Sequence, residues 1–254
     1  MEPSVGEIKY MKVAIIQARM GSSRFPGKVI KKINGRPMIE QIIRRVKLSR
    51  KIDKVVLAIP DTPSDDILFQ LAKRLNTICI RGSEKNVLSR YLKAAKETKA
   101  NIIIRITGDC PLIDPGIIDE MIEMFEKKKC DYLINDVRYG GYSWGFDVDI
   151  FSFKVLKNLA NFATNDYHKE QITTFMLEHP EMFKIRYYKA PKKLYRSNYR
   201  LCVDEKLDLV LVRKIFGHFK PRENFSAEEI INYLDKNPKI AAINKSVKQK
   251  NKII

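Results

Sequence analysis

The chain has 254 residues, enough for one large α/β domain or two small ones, and its 44% hydrophobic content supports an ordinary apolar core. The net charge of +18 favours polyanionic partners such as nucleotides or nucleic acid, although the excess lysines are spread along the whole chain. No apolar run approaches about 18 residues, so we expect no transmembrane span and no membrane partner. Four cysteines without a CxxC pair argue against a zinc site or a disulfide scaffold and predict a cytoplasmic protein.

Short apolar runs alternate with amphipathic segments along the first half of the chain. Strands are predicted at 13–16, 54–60, 77–80, 101–106 and 131–135. Helices are predicted at 38–49, at 67–75, at 87–95 and in the stretch that follows Asp114 and Pro115. Because helices connect successive strands, the pattern predicts a mainly parallel sheet flanked by helices, the α/β class. Ligands bind beyond the carboxyl ends of the strands in such sheets.

The second half of the chain has a more mixed pattern. We expect a hairpin within the glycine-rich stretch 137–149, helices at 151–160, 166–177 and 207–216, and strands at 183–188 (antiparallel) and 201–203. Ser226 and Glu229 form a capping box that opens a last helix, which ends near 234. The whole chain, 1–254, is predicted to be one domain. An insertion around 136–200 would serve dimerisation or acceptor binding, and a basic tail would occupy 240–254.

The loop after the first strand concentrates groups that suit an anion. Within ten residues it contains Arg19, Gly21, Ser22, Arg24 and Lys28. Glycine lets the backbone approach an anion closely, and the cations supply charge that matches phosphate oxygens. Neither a GxxxxGK[ST] nor a GxGxxG motif is present. The loop therefore indicates a different kind of phosphate cradle, with a solvated basic turn as the alternative.

Two further polar loops follow predicted strands, at 81–83 and at 107–111, and we expect all three loops to converge. Arg81 and Ser83 would then lie near a bound nucleotide. Asp109 stands at a strand end, where a Mg²⁺ ligand is common, although it could also cap a turn. Asp204 could bring a second carboxylate to the same metal. Arg105 lies inside an apolar strand, so it is expected to pair with a carboxylate or with a ligand anion.

The candidates for acceptor binding are Arg105, Asp147 and His168. Asp147 and Asp149 are two positions apart, so in a strand their side chains face the same way and could bind a metal, a hydroxyl or an amine. A surface pair is the alternative. His168 could bind substrate, with a histidine at an interface between elements as the alternative. No GxSxG motif is present, which disfavours an acyl-transfer nucleophile.

Two stretches, IIQARMGSSRFPGKVI and RITGDCPLIDP, resemble the opening motif and the central loop of a known family, the sugar cytidylyltransferases, which include the Kdo and acylneuraminate enzymes. The sequence resembles most closely their spore coat polysaccharide biosynthesis protein F branch. RGSEKNVLSRY, GFDVDIFS, YHKEQIT and LCVDEKLDL follow the same branch in order. The resemblance covers residues 11–216. Asn86 departs from the resemblance, because an acid is usual at that position. Phe25 and Phe146 also depart from it, because leucine is common at those two positions.

The resemblance implies a fold similar to that of the nucleotide-diphospho-sugar transferases, a Rossmann-like three-layer α/β architecture. It implies CTP and Mg²⁺ as ligands, CMP transfer to a small acidic acceptor with pyrophosphate release, and a homodimer. Carried over by motif, Arg19 and Lys28 hold the triphosphate with Arg24 close by. Ala18 and Ser22 lie near the nucleotide, and Asp109 and Asp204 bind the metal. Arg19, Lys28 and Asp109 would be the catalytic residues.

Two other functions remain as alternatives at this stage. A glycosyltransferase of the same fold would use an Asp-x-Asp metal motif, for which Asp147-Val148-Asp149 is the candidate. A nucleic-acid-binding module would explain the charge of +18. Its usual basic stripe with interleaved aromatic residues is missing, so we expect no nucleic-acid partner.

Overall fold

The computed structural model describes residues 10–249, and its centre is a sheet built from the predicted apolar runs. The strands are β1 (Lys12–Gln17), β2 (Lys32–Ile33), β3 (Arg36–Pro37), β4 (Lys54–Pro60), β5 (Ile78–Gly82), β6 (Ile102–Thr107), β7 (Tyr132–Ile134), β8 (Asp149–Ser152) and β9 (Ile185–Tyr187). In the described range, seven of them form one mixed sheet in the order β5-β4-β1-β6-β8-β7-β9, and β2 pairs with β3 separately. β1 lies between β4 and β6 and is parallel to both.

Helices connect these strands and cover both faces of the sheet. They are α1 (Met38–Val46), α2 (Asp66–Arg74), α3 (Val87–Thr98), α4 (Pro115–Lys128), α5 (Val137–Gly140), α6 (Phe153–Phe162), α7 (Asp166–Glu170), α8 (Thr174–Glu178), α9 (Lys206–Phe219), α10 (Ala227–Lys236) and α11 (Pro238–Ala241). Short 3₁₀ turns occur at Lys28–Ile30, Pro63–Asp65 and Lys192–Leu194. Within residues 10–249, the longest helices have 14 residues, and none is long and apolar enough to cross a bilayer.

Two apolar cores lie on opposite faces of the sheet, because strand side chains alternate between its faces. In β1, Ala14 and Ile16 pack with α1, α4, α9 and α10 on one face. Val13 and Ile15 pack with α3, α6 and α8 on the other. Helices on both faces make three layers, so the predicted α/β fold class is confirmed.

The second half of the sheet differs from the prediction in its strand directions. β8 is antiparallel to both β6 and β7, and β9 is parallel to β7. The strand predicted at 183–188 is confirmed as β9, but its predicted antiparallel direction was wrong. The stretch 136–200 contributes β8 and β9 to the main sheet, and β8 lies between β6 and β7.

Three other local predictions were wrong. The stretch 137–149 forms α5 and a loop between the paired strands β7 and β8. Residues 166–177 form two short helices, because Ile172 turns into the core between them and is 1% exposed. Segment 201–203 is irregular and is joined to Trp144 through a single bridge at Arg200.

Part of the predicted basic tail, 240–254, packs against the rest of the protein. Residues 240–249 include the end of α11 and a packed turn, in which Asn244 is 3% exposed and donates hydrogen bonds to Arg200 and Asp208. Residues 1–9 and 250–254 of the predicted domain lie outside the described residues.

Candidate active site

The loop that follows β1 brings Lys28 back towards the sheet. The backbone N–H groups of Ser22 and Gly27 both donate to the carbonyl of Met20, which folds the loop on itself. Gly27 has a φ of +65°, a left-handed conformation that glycine adopts without steric cost, and it starts the 3₁₀ turn that begins at Lys28. Asp65 anchors the loop from outside by accepting a 2.8 Å hydrogen bond from the N–H of Met20.

A close approach between two strand ends positions Asp109. The N–H of Gly108 donates to the carbonyl of Gln17 over 2.8 Å. A Cβ at Gly108 would lie 2.7 Å from that oxygen and 2.9 Å from Cβ of Ala18, so only glycine fits there. The carbonyl of Asp109 in turn accepts a 2.8 Å hydrogen bond from the N–H of Val203. This bond holds the segment that contains Asp204 beside Asp109.

The ammonium group of Lys28 lies between two carboxylates. Its Nζ is 3.1 Å from Oδ2 of Asp109 and 2.8 Å from Oδ1 of Asp204, and it also donates to the carbonyl of Val203. Asp204 is shared further, because its Oδ2 forms an ion pair with Nη2 of Arg24 at 2.8 Å and accepts a 2.7 Å hydrogen bond from Nη2 of Arg200. Three cations therefore converge on Asp204.

Electrostatics keep Lys28 charged despite its burial. Desolvation by itself would lower the pKa of Lys28, but the charges of Asp109 and Asp204 outweigh it, so that the pKa is raised above its ordinary value. The side chain is 11% exposed. A buried ammonium held in this way is a fixed positive charge at the end of β1.

Asp208 supports the cluster from behind. It is fully buried in the first turn of α9, and each of its oxygens accepts two hydrogen bonds. Oδ1 accepts from Nε of Arg200 over 3.0 Å and from Nδ2 of Asn244 over 2.7 Å. Oδ2 accepts from the N–H groups of Asp204 and Glu205 over 2.9 and 3.0 Å. Asp208 thereby fixes both the backbone of Asp204 and the side chain of Arg200.

A cavity of about 270 Å³, the first cavity, opens at the carboxyl ends of β1 and β6. The structure brings most of the predicted nucleotide-binding and metal-binding residues to its wall: Ala18, Arg19, Ser22, Arg24, Lys28, Asp109 and Asp204. Arg19 reaches it from the loop and pairs with Glu170 of α7 over 3.2 Å. The expected convergence of the loops at 19–28 and 107–111 is therefore observed.

Three predicted nucleotide-binding residues are not at the wall of this cavity. Arg81 turns to the outer edge of the sheet, where Asp61 and Asp66 hold its guanidinium at 2.9 and 2.6 Å. Ser83 offers its carbonyl to Arg90. Gly21 lies beside Glu84, whose Oε1 would be 3.5 Å from a Cβ at that position. The loop at 81–83 therefore reaches the cavity only through Arg90.

The fold places two of the predicted acceptor-binding residues at a cavity and the third elsewhere. Arg105 and Asp147 line a second cavity of about 160 Å³, which shares Arg24, Arg105, Thr107, Asp109 and Asp204 with the first. His168 lines neither cavity. Its Nε2 lies 2.6 Å from Oε2 of Glu178, and its ring stands edge-on to Phe175, so it ties α7 to α8 instead.

A buried network crosses the boundary between the two cavities. Nη1 of Arg105 lies 2.5 Å from Oδ2 of Asp149, whose other oxygen accepts from the hydroxyl of Tyr132. Nε of Arg105 donates to Gln17 over 3.2 Å, and Tyr91 donates to the same amide oxygen. The carboxylate expected for Arg105 is therefore Asp149. Because Asp149 is committed to this pair, Asp147-Val148-Asp149 does not offer two open carboxylates to a metal.

The residues present fit a magnesium ion with substrate phosphates. Mg²⁺ prefers one or two carboxylates and completes its shell with water and phosphate oxygens. Asp109 and Asp204 supply such a pair, since both lie within hydrogen-bond distance of one Nζ atom. Within residues 10–249, no group of three histidine, cysteine or acidic side chains is arranged for a metal, which leaves no all-protein cage.

Comparison with known proteins identifies the family. The family model described as Cytidylyltransferase matches residues 13–247, nearly the whole chain. The chain belongs to the cytidylyltransferase family. It is 35% identical to an uncharacterized protein of Methanocaldococcus jannaschii, over 94% of this chain and 96% of that protein. It is 31% identical to the spore coat polysaccharide biosynthesis protein SpsF of Bacillus subtilis, over 89% of this chain and 95% of that protein.

Solved structures agree with this cytidylyltransferase fold. A cytidylyltransferase from Leptospira borgpetersenii superposes with a TM-score of 0.87 at 30% identity, covering 96% of this chain and all of that one. A CMP:2-keto-3-deoxy-manno-octonic acid synthetase solved with CTP superposes with a TM-score of 0.61 at 17% identity, over 82% of this chain and 98% of that one. The latter likeness supports the fold alone.

The three departures from the family pattern have structural explanations. Asn86 caps α3 by accepting a 2.9 Å hydrogen bond from the N–H of Ser89, a position where asparagine serves as well as aspartate. Phe25 and Phe146 are buried in the core of the cytidylyltransferase fold, at 9% and 0% exposure. They enlarge apolar packing and leave the polar wall of the cavities unchanged.

Sequence reasoning missed several residues that shape this cytidylyltransferase site. Arg90, Arg200 and Asp208 are not among the predicted site residues. One signal was present: Arg90 interrupts the apolar face of α3 formed by Val87, Leu88 and Tyr91. Such a charge on a buried face indicates a specific partner. Arg200 precedes an apolar stretch and carries no comparable signal.

Proposed function

We propose that this cytidylyltransferase transfers CMP from CTP to an acidic sugar or a related acceptor, with Mg²⁺, and releases pyrophosphate. The observation that carries the proposal is the Lys28 ammonium held between Asp109 and Asp204 at the wall of a basic cavity. The family supplies the nucleotidyl transfer. The name of the Bacillus subtilis relative supports a role in the biosynthesis of surface polysaccharide.

The cations of the first cavity would bind the triphosphate. Arg19, Arg24 and Lys28 line it together, and phosphate oxygens can replace their present carboxylate partners. Nucleotidyl transfer depends on positioning and on neutralising the charge that develops on the leaving group. The acceptor oxygen attacks the α-phosphorus, the bond between that phosphorus and the bridging oxygen breaks, and pyrophosphate leaves with the electron pair.

Asp109 and Asp204 would hold the metal, since they form the carboxylate pair of the cavity. When bound, Mg²⁺ supplies Lewis-acid neutralisation of phosphate oxygens and orients the α-phosphate. Asp208 and Arg200 act behind this pair by fixing the backbone and the carboxylate of Asp204.

The acceptor would occupy the second cavity, which meets the first beside Asp109. Arg105 lies at that junction and offers a positive charge to an acidic acceptor. An acceptor that arrives as an oxyanion needs no base. An acceptor hydroxyl would need one, and Asp147 on the wall of the second cavity is the candidate.

We further propose that the protein acts in the cytoplasm as a homodimer. All four cysteines are free thiols in the structure, which suits a reducing compartment. Analytical ultracentrifugation of the purified chain tests the dimer, and a sedimentation coefficient that corresponds to 29.6 kDa at micromolar concentration would exclude it.

Ligand stabilisation tests the nucleotide first. Thermal unfolding with CTP, UTP, ATP or GTP and Mg²⁺ should show the largest upward shift with CTP, because a ligand that binds the folded state stabilises it by mass action. Pyrophosphate release is then measured with CTP, Mg²⁺ and a panel of acidic sugars and phosphonates. Absence of any CTP-dependent shift would remove the basis for the proposal.

Asp109→Asn tests the metal assignment. It keeps the side-chain shape but removes the charge, and we expect pyrophosphate release to fall by about 100- to 1,000-fold. The matched control is Asp235→Asn, which also removes a carboxylate paired with an arginine but lies in α10, outside both cavities. Pyrophosphate release by Asp109→Asn near the rate of the control would refute the role of Asp109.

A further inference from the structure

The first cavity has two chemically different ends. Lys28, Asp109 and Asp204 form the ionic end. Val87 and Arg90 of α3 contribute to the remaining wall, together with Gln17 and Ala18 at the end of β1. If the triphosphate occupies the ionic end, as in the proposed function on which this inference rests, the nucleobase lies against Val87 and Arg90.

Arg90 is held rigidly at this wall. Its side chain crosses over Gly82, where an added Cβ would lie 3.0 Å from Cγ of Arg90, so the missing side chain of the glycine makes the passage possible. Nη1 donates to the carbonyls of Ser83 and Glu84. The residue is 2% exposed. Its guanidinium therefore has a fixed orientation.

The other edge of the guanidinium carries unused donors. Nε is buried and has no hydrogen-bond partner within residues 10–249. Among the hydrogen bonds of the same range, those of Arg90 are both made by Nη1, so Nη2 is also available. Nε–H and one Nη2–H point in the same direction and form a two-donor fork. A buried donor without a partner is costly, which favours a ligand that supplies acceptors.

We propose that Arg90 recognises the cytosine base of CTP through this edge. Cytosine presents two adjacent acceptors, O2 and N3, which match the spacing of the two parallel donors. Uracil presents an N–H group at position 3, which would face a donor and leave it unpaired. Arg90 is thus a residue that determines the specificity for CTP over UTP.

The measurable consequence is a change in base preference. A charge-assisted hydrogen bond in a buried site corresponds to roughly 10- to 100-fold in affinity. The wild-type protein should therefore bind CTP about 10- to 100-fold more tightly than UTP in the presence of Mg²⁺. Arg90→Lys keeps the charge but loses the fork, and Arg90→Met keeps only the length of the side chain. Both should bring the two affinities to within about threefold of each other.

Isothermal titration with CTP, UTP and 3-deaza-CTP tests this without the acceptor. In 3-deaza-CTP a C–H group replaces the N3 acceptor, so the wild-type protein should bind it about 10-fold more weakly than CTP, and Arg90→Lys should bind the two equally. This ligand change requires no variant and therefore remains decisive if Arg90→Met fails to fold. Arg19→Ala is the comparison, because loss of a triphosphate contact should weaken CTP and UTP binding by the same factor.

The outcomes separate this inference from the proposed function. Equal binding of CTP and 3-deaza-CTP by the wild-type protein would overturn the assignment of Arg90 and leave the proposed function intact. An unchanged ratio of CTP to UTP affinity in Arg90→Lys would also overturn it, since a purely structural or phosphate-binding arginine affects both ligands equally. If the wild-type protein bound no nucleotide at all, the proposed function itself would fail.

Discussion

Replacing Asp208 by asparagine should destabilise the fold strongly, although the substitution only replaces one carboxylate oxygen by an NH₂ group. The carboxylate accepts four hydrogen bonds, two at each oxygen. The amide keeps one oxygen, so two donors lose their acceptor and face an NH₂ group. Asn244 cannot compensate by rotating its amide, because the same Nδ2 atom also donates to the carbonyl of Arg200.

The expected cost follows from these counts. Two buried donors left unpaired cost about 1–3 kcal/mol each, while Arg200 keeps a buried counter-charge in Asp204. For the two donors together we therefore expect a decrease of about 4 kcal/mol in the free energy of unfolding. For a chain of this length, that decrease lowers the melting temperature by roughly 8–16 °C.

Asp235→Asn is the matched control for this prediction. Asp235 also pairs with an arginine, Arg196, over 2.7 Å, but its side chain is 34% exposed. Its loss should cost at most about 1 kcal/mol, because solvent screens exposed ion pairs. Urea unfolding followed by far-UV circular dichroism measures both variants. If Asp208→Asn unfolded at the same urea concentration as the control, the argument from buried hydrogen bonds would be refuted.

Three further predictions concern single residues. Gly108→Ala should lower both the stability of the fold and the rate of pyrophosphate release, because the added Cβ would lie only 2.7 Å from the carbonyl oxygen of Gln17. Wild-type stability together with a wild-type rate of release would contradict this packing. The hydrogen bond from the N–H of Ser226 lowers the pKa of Glu229, so its stabilisation is present above the ordinary glutamate pKa and is lost as the pH falls through the lowered one. Glu229→Gln should therefore destabilise the protein at pH 7 but much less near pH 3 in urea titrations, and an equal effect at both would exclude the charge as the cause. Burial raises the pKa of Cys79 to about 11, which leaves roughly 100-fold less thiolate than a thiol of pKa 9.0. Iodoacetamide should therefore alkylate Cys79 correspondingly slowly at about pH 8. Labelling at the rate of a free thiol would contradict the burial of Cys79.

The sequence predicted the parallel part of the sheet because its strands have a strong local signal. β4 and β6 are apolar runs bounded by turn residues, and the helices between them have clear periodicity. β8 was missed because its four residues continue into α6 without a break, and its direction depends on pairing with β6 and β7. That pairing joins residues far apart in the chain, which local patterns do not encode.

The site residues also divide into those that local sequence patterns reveal and those whose role depends on distant parts of the chain. Lys28 and Asp109 could be placed in one pocket because both follow parallel strands, whose carboxyl ends meet at one edge of the sheet. Asp208 could not be recognised, because its role depends on Arg200 and Asn244, which reach it only after the chain has folded. His168 shows the opposite error, since its motif matched the family while its side chain pairs with Glu178.

Under the proposed function, metal and triphosphate depend on each other for binding at the ionic end of the first cavity. Lys28 and Arg24 are each paired with the carboxylates that would hold the metal. A metal that binds alone must take Asp109 and Asp204 away from these cations and leave buried positive charges unpaired. A triphosphate that binds alone must approach the same two carboxylates, which repel it. When both bind, the cations exchange carboxylate oxygens for phosphate oxygens while the carboxylates turn to the metal, so every charge keeps a partner. Because linkage is reciprocal, each ligand must then raise the affinity for the other by the same factor.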